Sequence, residues 1–483
     1  MRPFKRARRR QNVAVPGQDM LTAIITVYLC AMLGVGWWSK GRAKDRNGFF
    51  VAHRSASLPL VTGSLVATAV GASSTIGMAG LGFSQGLTGA WWLLVGCIGL
   101  VFLGIFFARK VRSAAVYTLP ELVERQYDHR VSLAASILIV IAWVGVVAGQ
   151  IVAAGKILAP LGKGSPQLWM SIFTAVFLAY SLLGGQYSVI RTDLFQAALI
   201  CCGVFLTAAL ILSRTGGIHG LQDSLPPGYF SFPLSARFDG KALASYLVLV
   251  GSTYAVGPDM YSRLLCAKEE KTAQRSAILA ALVFIPLSFA ITVVGMGARV
   301  LYPEINAENA FPRAIIALPS AALSGLLLAA LLAALMSSAD TCVLTQSIIL
   351  SEDVIKRVLP VREEKKTVWL TRLNLTVLSV VALGLALILK TVISSLLFAY
   401  TIFTCGLVVP VIAGFYRQRI NVTSQGTLIA MIGGGFTALL GRIPWLDIPL
   451  KGDLGLVGFG FSAVLLFAVS LLTRKGSRQR ANP

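Results

Sequence analysis

Long apolar runs, with little strict alternation of apolar and polar positions, dominate the chain. Stretches long enough to cross ~30 Å of hydrocarbon as helices occur at 20–38, 58–82, 90–108, 131–159, 168–184, 190–213, 242–262, 276–300, 321–350, 368–389, 392–415, 425–441 and 454–472. They are built of Leu, Val, Ile and Ala with frequent glycine, and none shows the ten-residue alternation of a barrel strand. The pattern predicts an all-α polytopic membrane protein of 13 transmembrane helices. The connections are too short to hold a soluble domain.

Two of these spans look interrupted. The second reads "LVATAVGASSTIGMAGLGFSQG", with Gly71 and Gly77 among hydroxyls; the seventh reads "YLVLVGSTYAVGPDMYSRLL", with Gly251, Gly257 and Pro258 at its middle. Proline has no amide donor and clashes with the preceding turn. Close helix packing also favours glycine, which explains either span alone better than the pair. Two broken spans five helices apart suggest an inverted five-plus-five repeat. On that reading 1–19 is a basic tail and 20–57 an extra N-terminal helix with its loop. Residues 58–213 form the first repeat, 214–241 an outer loop, 242–416 the second repeat, and 417–483 two further helices and a basic tail.

Composition agrees: 56% of the 483 residues are hydrophobic and 13% charged, with mean hydropathy +0.75. A net charge of +23 raises the question of nucleic acid, but its distribution answers it. Lys and Arg concentrate in alternate connections: Lys40–Arg54, Arg109–Arg130, Arg191, Arg263–Arg275, Lys356–Lys366, Arg417 and Arg419, and the C-terminal tail. The opposite set holds little beyond Lys163, Arg237, Arg313, Lys390, Arg442 and Lys451. This asymmetry is the positive-inside rule. It points to a lipid bilayer rather than nucleic acid, and places the C-terminus in the cytoplasm and the N-terminus outside. The opening "MRPFKRARRR" runs against that side, and Met20 offers a later start. No cleavable signal peptide is evident. The seven cysteines form no pattern and read as small packing residues.

The most polar apolar span contains "LLAALMSSADTCVLTQS", Leu331 to Ser347. At 100° per residue, Ser337, Ser338, Asp340, Thr341 and Thr345 fall within an arc of roughly 160°. Polar groups this deep face protein or an aqueous cavity. Hydroxyls and a carboxylate without histidine are hard oxygen ligands, suited to alkali or alkaline-earth cations. Unwound backbone in the second span can supply the remaining oxygens. Alternatively the hydroxyls bond their own helix carbonyls or glue helices together. A second acid, Asp193 in "GGQYSVIRTDLFQAALI", either pairs with Arg191 or reaches Asp340 and Thr341 around a cation or proton. No His or Lys base accompanies the serines, so covalent catalysis is not expected.

These residues resemble the sodium:solute symporter family. The resemblance runs from Arg54 to about Arg419 and rests on ordered motifs: "RSASLPLVTGSLVATAVGASSTIGMAGLGF", "YSLLGGQYSVIRTDLFQ", "GPDMYSRLLCAKEEKTA" and "LLAALMSSADTCVLTQSIILSEDVIK". It implies the inverted-repeat fold of the leucine transporter and sodium as coupling ion. By position it implies a sodium site of the Ala67, Val70 and Ala334 carbonyls with the Ser337 and Ser338 hydroxyls. A second cation or proton site would use Asp193, Asp340 and Thr341, although members with a second ion often carry serine at the place of Asp340. The solute would lie beside the first break, near Ser73, Ser74, Thr75, Gln150 and Tyr254. Sugar-carrying relatives have Glu and Gln where Ser73 and Ser74 stand, so the expected solute is an amino acid or short carboxylate rather than a sugar. The expectation is a sodium-coupled symporter of a bacterial inner membrane with no obligate protein partner. A proton-coupled transporter of the same fold, or a solute sensor, are the alternatives.

Overall fold

The computed structural model describes residues 17–159, 164–359, 363–388, 391–440 and 454–480. The basic tail over 1–16 and the connection residues Lys163, Arg362, Lys390, Arg442 and Lys451 lie outside the described residues. The described chain is helical throughout; its only bridges are the isolated pairs Ala56–Ala267 and Ser235–Phe238. Each apolar stretch read from the sequence is mainly helix over its described residues, with non-helical breaks at 70–72 and at Gly257 in two of them. Eight helical stretches among the described residues are long and apolar enough to cross a membrane, and Leu58–Ala69, Ala399–Gly414 and Ser424–Leu440 are shorter apolar helices. The chain is therefore a multi-pass membrane protein.

The main helices are α1 (Gln18–Ser39), α2 (Leu58–Ala69), α3 (Met78–Gln85), α4 (Trp91–Phe102), α5 (His129–Leu158), α6 (Pro166–Arg214), α7 (Ser252–Val256), α8 (Pro258–Cys266) and α9 (Glu270–Leu301). They continue with α10 (Ala321–Ile349), α11 (Glu364–Ile388), α12 (Val392–Phe403), α13 (Ser424–Leu440) and α14 (Leu454–Arg480). Both predicted interruptions are real. Helix α2 stops at Val70 (φ −88°, ψ 62°), and the chain resumes through a wide helical turn over Ser73–Gly77 into α3. Helix α7 ends at Gly257 (φ −61°, ψ 136°), and Pro258 opens α8, a position where its missing amide costs nothing.

The two spans predicted at 168–184 and 190–213 are parts of α6, separated at Gly185 (φ 51°, ψ −150°). That backbone region is essentially restricted to glycine, and a Cβ there would meet Phe49 Cδ2 at 2.6 Å. Helix α10 lies at the centre, with every residue from Leu327 to Ile349 buried, packed against α6, α5 and α1. Large apolar side chains such as Val27, Phe195, Val380 and Leu472 face outward, as lipid contact requires. The predicted outer loop folds over one end: Tyr229 donates to the Phe83 carbonyl at 3.2 Å, and Trp91 stacks on Phe232 at 5.4 Å.

Several basic residues counted by the positive-inside reading act as caps at one end. Arg54 donates to the carbonyls of Leu265 (3.3 Å), Ala115 (2.8 Å) and Val116 (2.9 Å). Arg112 Nε reaches Ala267 O at 2.5 Å. Cations there complement the carbonyl end of α8. Arg263 does not belong with them. The sequence reading placed it in a connection, but it sits in the second turn of α8, and both its side chain and that of Asp193 are 0% exposed.

Candidate functional site

Where α2 breaks, its last carbonyls lose their intrahelical amides and must find other donors. Helix α10 supplies them. Ser337 Oγ donates to Ala67 O at 2.8 Å and lies 3.1 Å from Ala334 O. Ser338 Oγ donates to Thr68 O at 2.7 Å and lies 3.2 Å from Ala334 O. Gly71 lets the two elements meet: a Cβ there would stand 2.3 Å from Ser338 Oγ. Thus Ala67, Ala334, Ser337 and Ser338 converge as the resemblance implies, and Thr68 O, which the sequence reading omitted, joins them. Val70 supplies the bend itself, and its amide closes on Val66 O at 3.0 Å. The hydroxyl protons satisfy the carbonyls; rotated about Cβ–Oγ, the same oxygens offer lone pairs to a cation. A cluster of neutral carbonyl and hydroxyl oxygens suits a hard monovalent ion.

The residues of the expected second site lie along a chain of polar contacts. Asp193 does not pair with Arg191; its Oδ2 accepts from Ser64 Oγ at 2.5 Å and lies 3.2 Å from Arg263 Nη2. Arg263 Nε points at Thr68 Oγ1 at 3.3 Å, and Thr68 Oγ1 lies 3.3 Å from Thr341 Oγ1. Thr341 also bonds the Ser337 carbonyl at 2.6 Å and approaches Asp340 Oδ1 at 3.3 Å. The Tyr180 hydroxyl donates to Asp340 Oδ2. The acid expected to hold a cation therefore already faces a guanidinium, while Asp340 meets the Tyr180 and Thr341 hydroxyls and has no ion-pair partner among the described residues. Asp193 Oδ1 and Arg263 Nη1 have no hydrogen-bond partner among the described residues, so this buried pair retains bonding capacity.

Beside the first break is a cavity of about 30 Å³, room for on the order of two waters. Ser73, Gln150 and Tyr254 line it, together with Trp143, Asp259 and Tyr400. Gln150 serves two neighbours: its Oε1 accepts from the Ala72 amide at 2.8 Å, and it lines the cavity. Ser74 and Thr75 turn away from it. Ser74 Oγ bonds Ala69 O at 2.9 Å, and Thr75 Oγ1 bonds Gly71 O at 2.8 Å. Sequence reasoning missed Asp259 although it quoted the "GPDM" that contains it; a carboxylate in the first turn of a half-helix was the available signal.

Halved helices whose free backbone meets hydroxyls and a buried cavity deep in a polytopic protein are the build of a secondary transporter. The profile of the sodium:solute symporter family matches residues 49–434. The chain belongs to that family. It is similar to a sodium/glucose cotransporter of Vibrio parahaemolyticus, 26% identical over 93% of this chain and 90% of that protein. It is also similar to the osmoregulated proline transporter OpuE of Bacillus subtilis, 24% identical over 94% of each. Among solved structures, a Na⁺-coupled sialic acid symporter superposes with TM-score 0.81 at 19% identity, covering 94% of this chain and 98% of that one. MhsT in complex with L-phenylalanine gives TM-score 0.50 at 14% identity, over 86% of this chain and 98% of that one. The fold is that of the leucine-transporter class. The protein is a transporter and not an enzyme, and sodium is its coupling ion.

Proposed function

We propose that this chain imports a small organic solute, an amino acid or short carboxylate rather than a sugar, together with sodium, by alternating access. The observation that carries the reading is the meeting of Ser337 and Ser338 with Ala67 O, Thr68 O and Ala334 O at the end of α2. Thr68 and Ser338 also line the cavity, so one helix end serves ion and solute. Sodium there would tie α2 to α10 and fix the cavity wall, and its loss to a low-sodium cytoplasm would loosen both. The membrane potential adds roughly 2.3 kcal/mol per charge per 100 mV. We assign thirteen spans in a bacterial inner membrane, with repeats over 58–213 and 242–416, the C-terminus inside and the N-terminus outside. Serine at 73, which lines the cavity, in place of the Glu of sugar carriers, supports a compact solute.

Asp340 favours a second reading of one part of the site, a proton in place of a second sodium, because it is fully buried and has hydroxyl partners but no cation among the described residues. The experiment is uptake into liposomes from a panel of amino acids, short carboxylates and sugars, driven by an inward sodium gradient. Accumulation that collapses when potassium replaces sodium is the expected outcome. Accumulation driven equally well by a proton gradient without sodium would overturn the sodium assignment.

A further inference from the structure

The reading of the cavity as the solute site leaves one of its groups without a task. Asp259 stands in the first turn of α8, at the second break, and lines the cavity. Its Oδ1 lies 2.7 Å from where a Cβ on Gly257 would stand, so the carboxylate rests over the break. The only arginine on α8, Arg263, one turn further on, is directed to Asp193 and Thr68. Among the described residues Asp259 makes no ion pair. Three aromatic side chains, Trp143, Tyr254 and Tyr400, share the same cavity.

We propose that the transported solute carries a positively charged amine, and that Asp259 receives it. This rests on the cavity being the solute site and narrows that reading. An anion in an enclosed site is costly unless a cation compensates it; among the described residues no cation pairs directly with Asp259, the nearby Arg263 being engaged by Asp193. Aromatic faces attract ammonium groups, so carboxylate and rings select the same charge. Asp259 also occupies the half-helix N-terminus that would otherwise attract an anionic solute. A short carboxylate lacking an amine would enter against like charge. A neutral sugar would leave Asp259 uncompensated once the cavity closed. Ser73 and Gln150 remain for the solute's polar remainder.

The test is thermal stabilisation of the purified, full-length protein in sodium, with potassium as control. The probes are L-proline, L-alanine, ethanolamine, choline, the neutral carbon isostere of choline, lactate, propionate and glucose. Amine-bearing probes are expected to stabilise the protein, and lactate, propionate, glucose and the neutral isostere are not. Asp259→Asn is expected to weaken the amine effect roughly 30-fold or more, as loss of a buried charge partner does, while the sodium-specific rise without solute persists. That persistence also shows that the variant is folded. If the variant does not fold, the comparison of choline with its isostere in the parent protein decides alone. Stabilisation by glucose or by amine-free acids, or by no amine at all, would overturn the proposal while leaving the sodium assignment intact. Failure of sodium itself to stabilise the protein would instead strike at the function on which the proposal rests.

Discussion

Replacing Ser337 by alanine removes one hydroxyl and leaves everything else in place, so its consequences follow from two distances. Ser337 Oγ is 2.8 Å from Ala67 O and 3.1 Å from Ala334 O, and all three residues are fully buried. Without sodium, the variant strands the Ala67 carbonyl, a cost of about 1–3 kcal/mol. With sodium, it removes an oxygen dipole from an ion, worth about 1.5–3 kcal/mol, or roughly 10- to 150-fold in affinity. A ligand at 100 times its Kd stabilises by about 2.7 kcal/mol. A tenfold weaker site at the same sodium would yield about 1.4 kcal/mol, and a hundredfold weaker one about 0.4 kcal/mol, by the same relation. The assay is melting temperature in sodium and in potassium at constant ionic strength, for the parent, Ser337→Ala and Ser338→Ala. The sodium-specific increment should fall by half or more in each variant. Equal increments in all three proteins, with only a common drop in potassium, would show that these hydroxyls hold the helices together and do not contact the ion.

Arg263→Met should destabilise the protein by about 3–5 kcal/mol, because it leaves Asp193 buried without its partner; melting in potassium should show Asp193→Asn on the same background restoring much of the loss, and additive losses would deny the coupling. Asp340→Ser should leave the slope of the sodium dependence of uptake unchanged, since Asp340 meets the Tyr180 and Thr341 hydroxyls and no described cation; a lowered slope would assign it to a second sodium.

The sequence carried both breaks because glycine and proline mark backbone that cannot continue a helix, and Gly71, Gly257 and Pro258 are where α2 and α7 give way. It carried Ser337 and Ser338 because their stripe survives projection on a helix. Thr68 escaped, since its contribution to Ser338 is a carbonyl and any residue has one. Arg263 escaped for a different reason. Hydropathy reads a basic residue near the end of an apolar run as a loop charge, and only the restart of the helix at Pro258 carries it inward to Asp193. Asp259 was passed over, because an acid after Gly-Pro is also what an ordinary helix start carries. The separation of 168–184 from 190–213 was legible through the Gly184–Gly185 pair, although the backbone stays helical almost up to the break.

Ion pairs of a different kind from Asp193–Arg263 stand near the two ends of α5. At one end Lys156 meets Glu308, whose other oxygen accepts from the Val392 amide at 3.2 Å. At the other, Arg46 and Lys356 share Glu352, and Arg357 meets Glu124. The cations in these pairs are 19–28% exposed, so water reaches them and separating the partners costs less than in a fully buried pair. In the proposed cycle these are the pairs that would break and re-form. Asp193 and Arg263 are 0% exposed, where separating the partners would cost several kcal/mol. The proposed alternating-access cycle would leave that pair intact and α8 fastened to α6. On the proposed sodium site, the element that would respond to the ion is the broken end of α2, held to α10 by the Ser337 and Ser338 contacts.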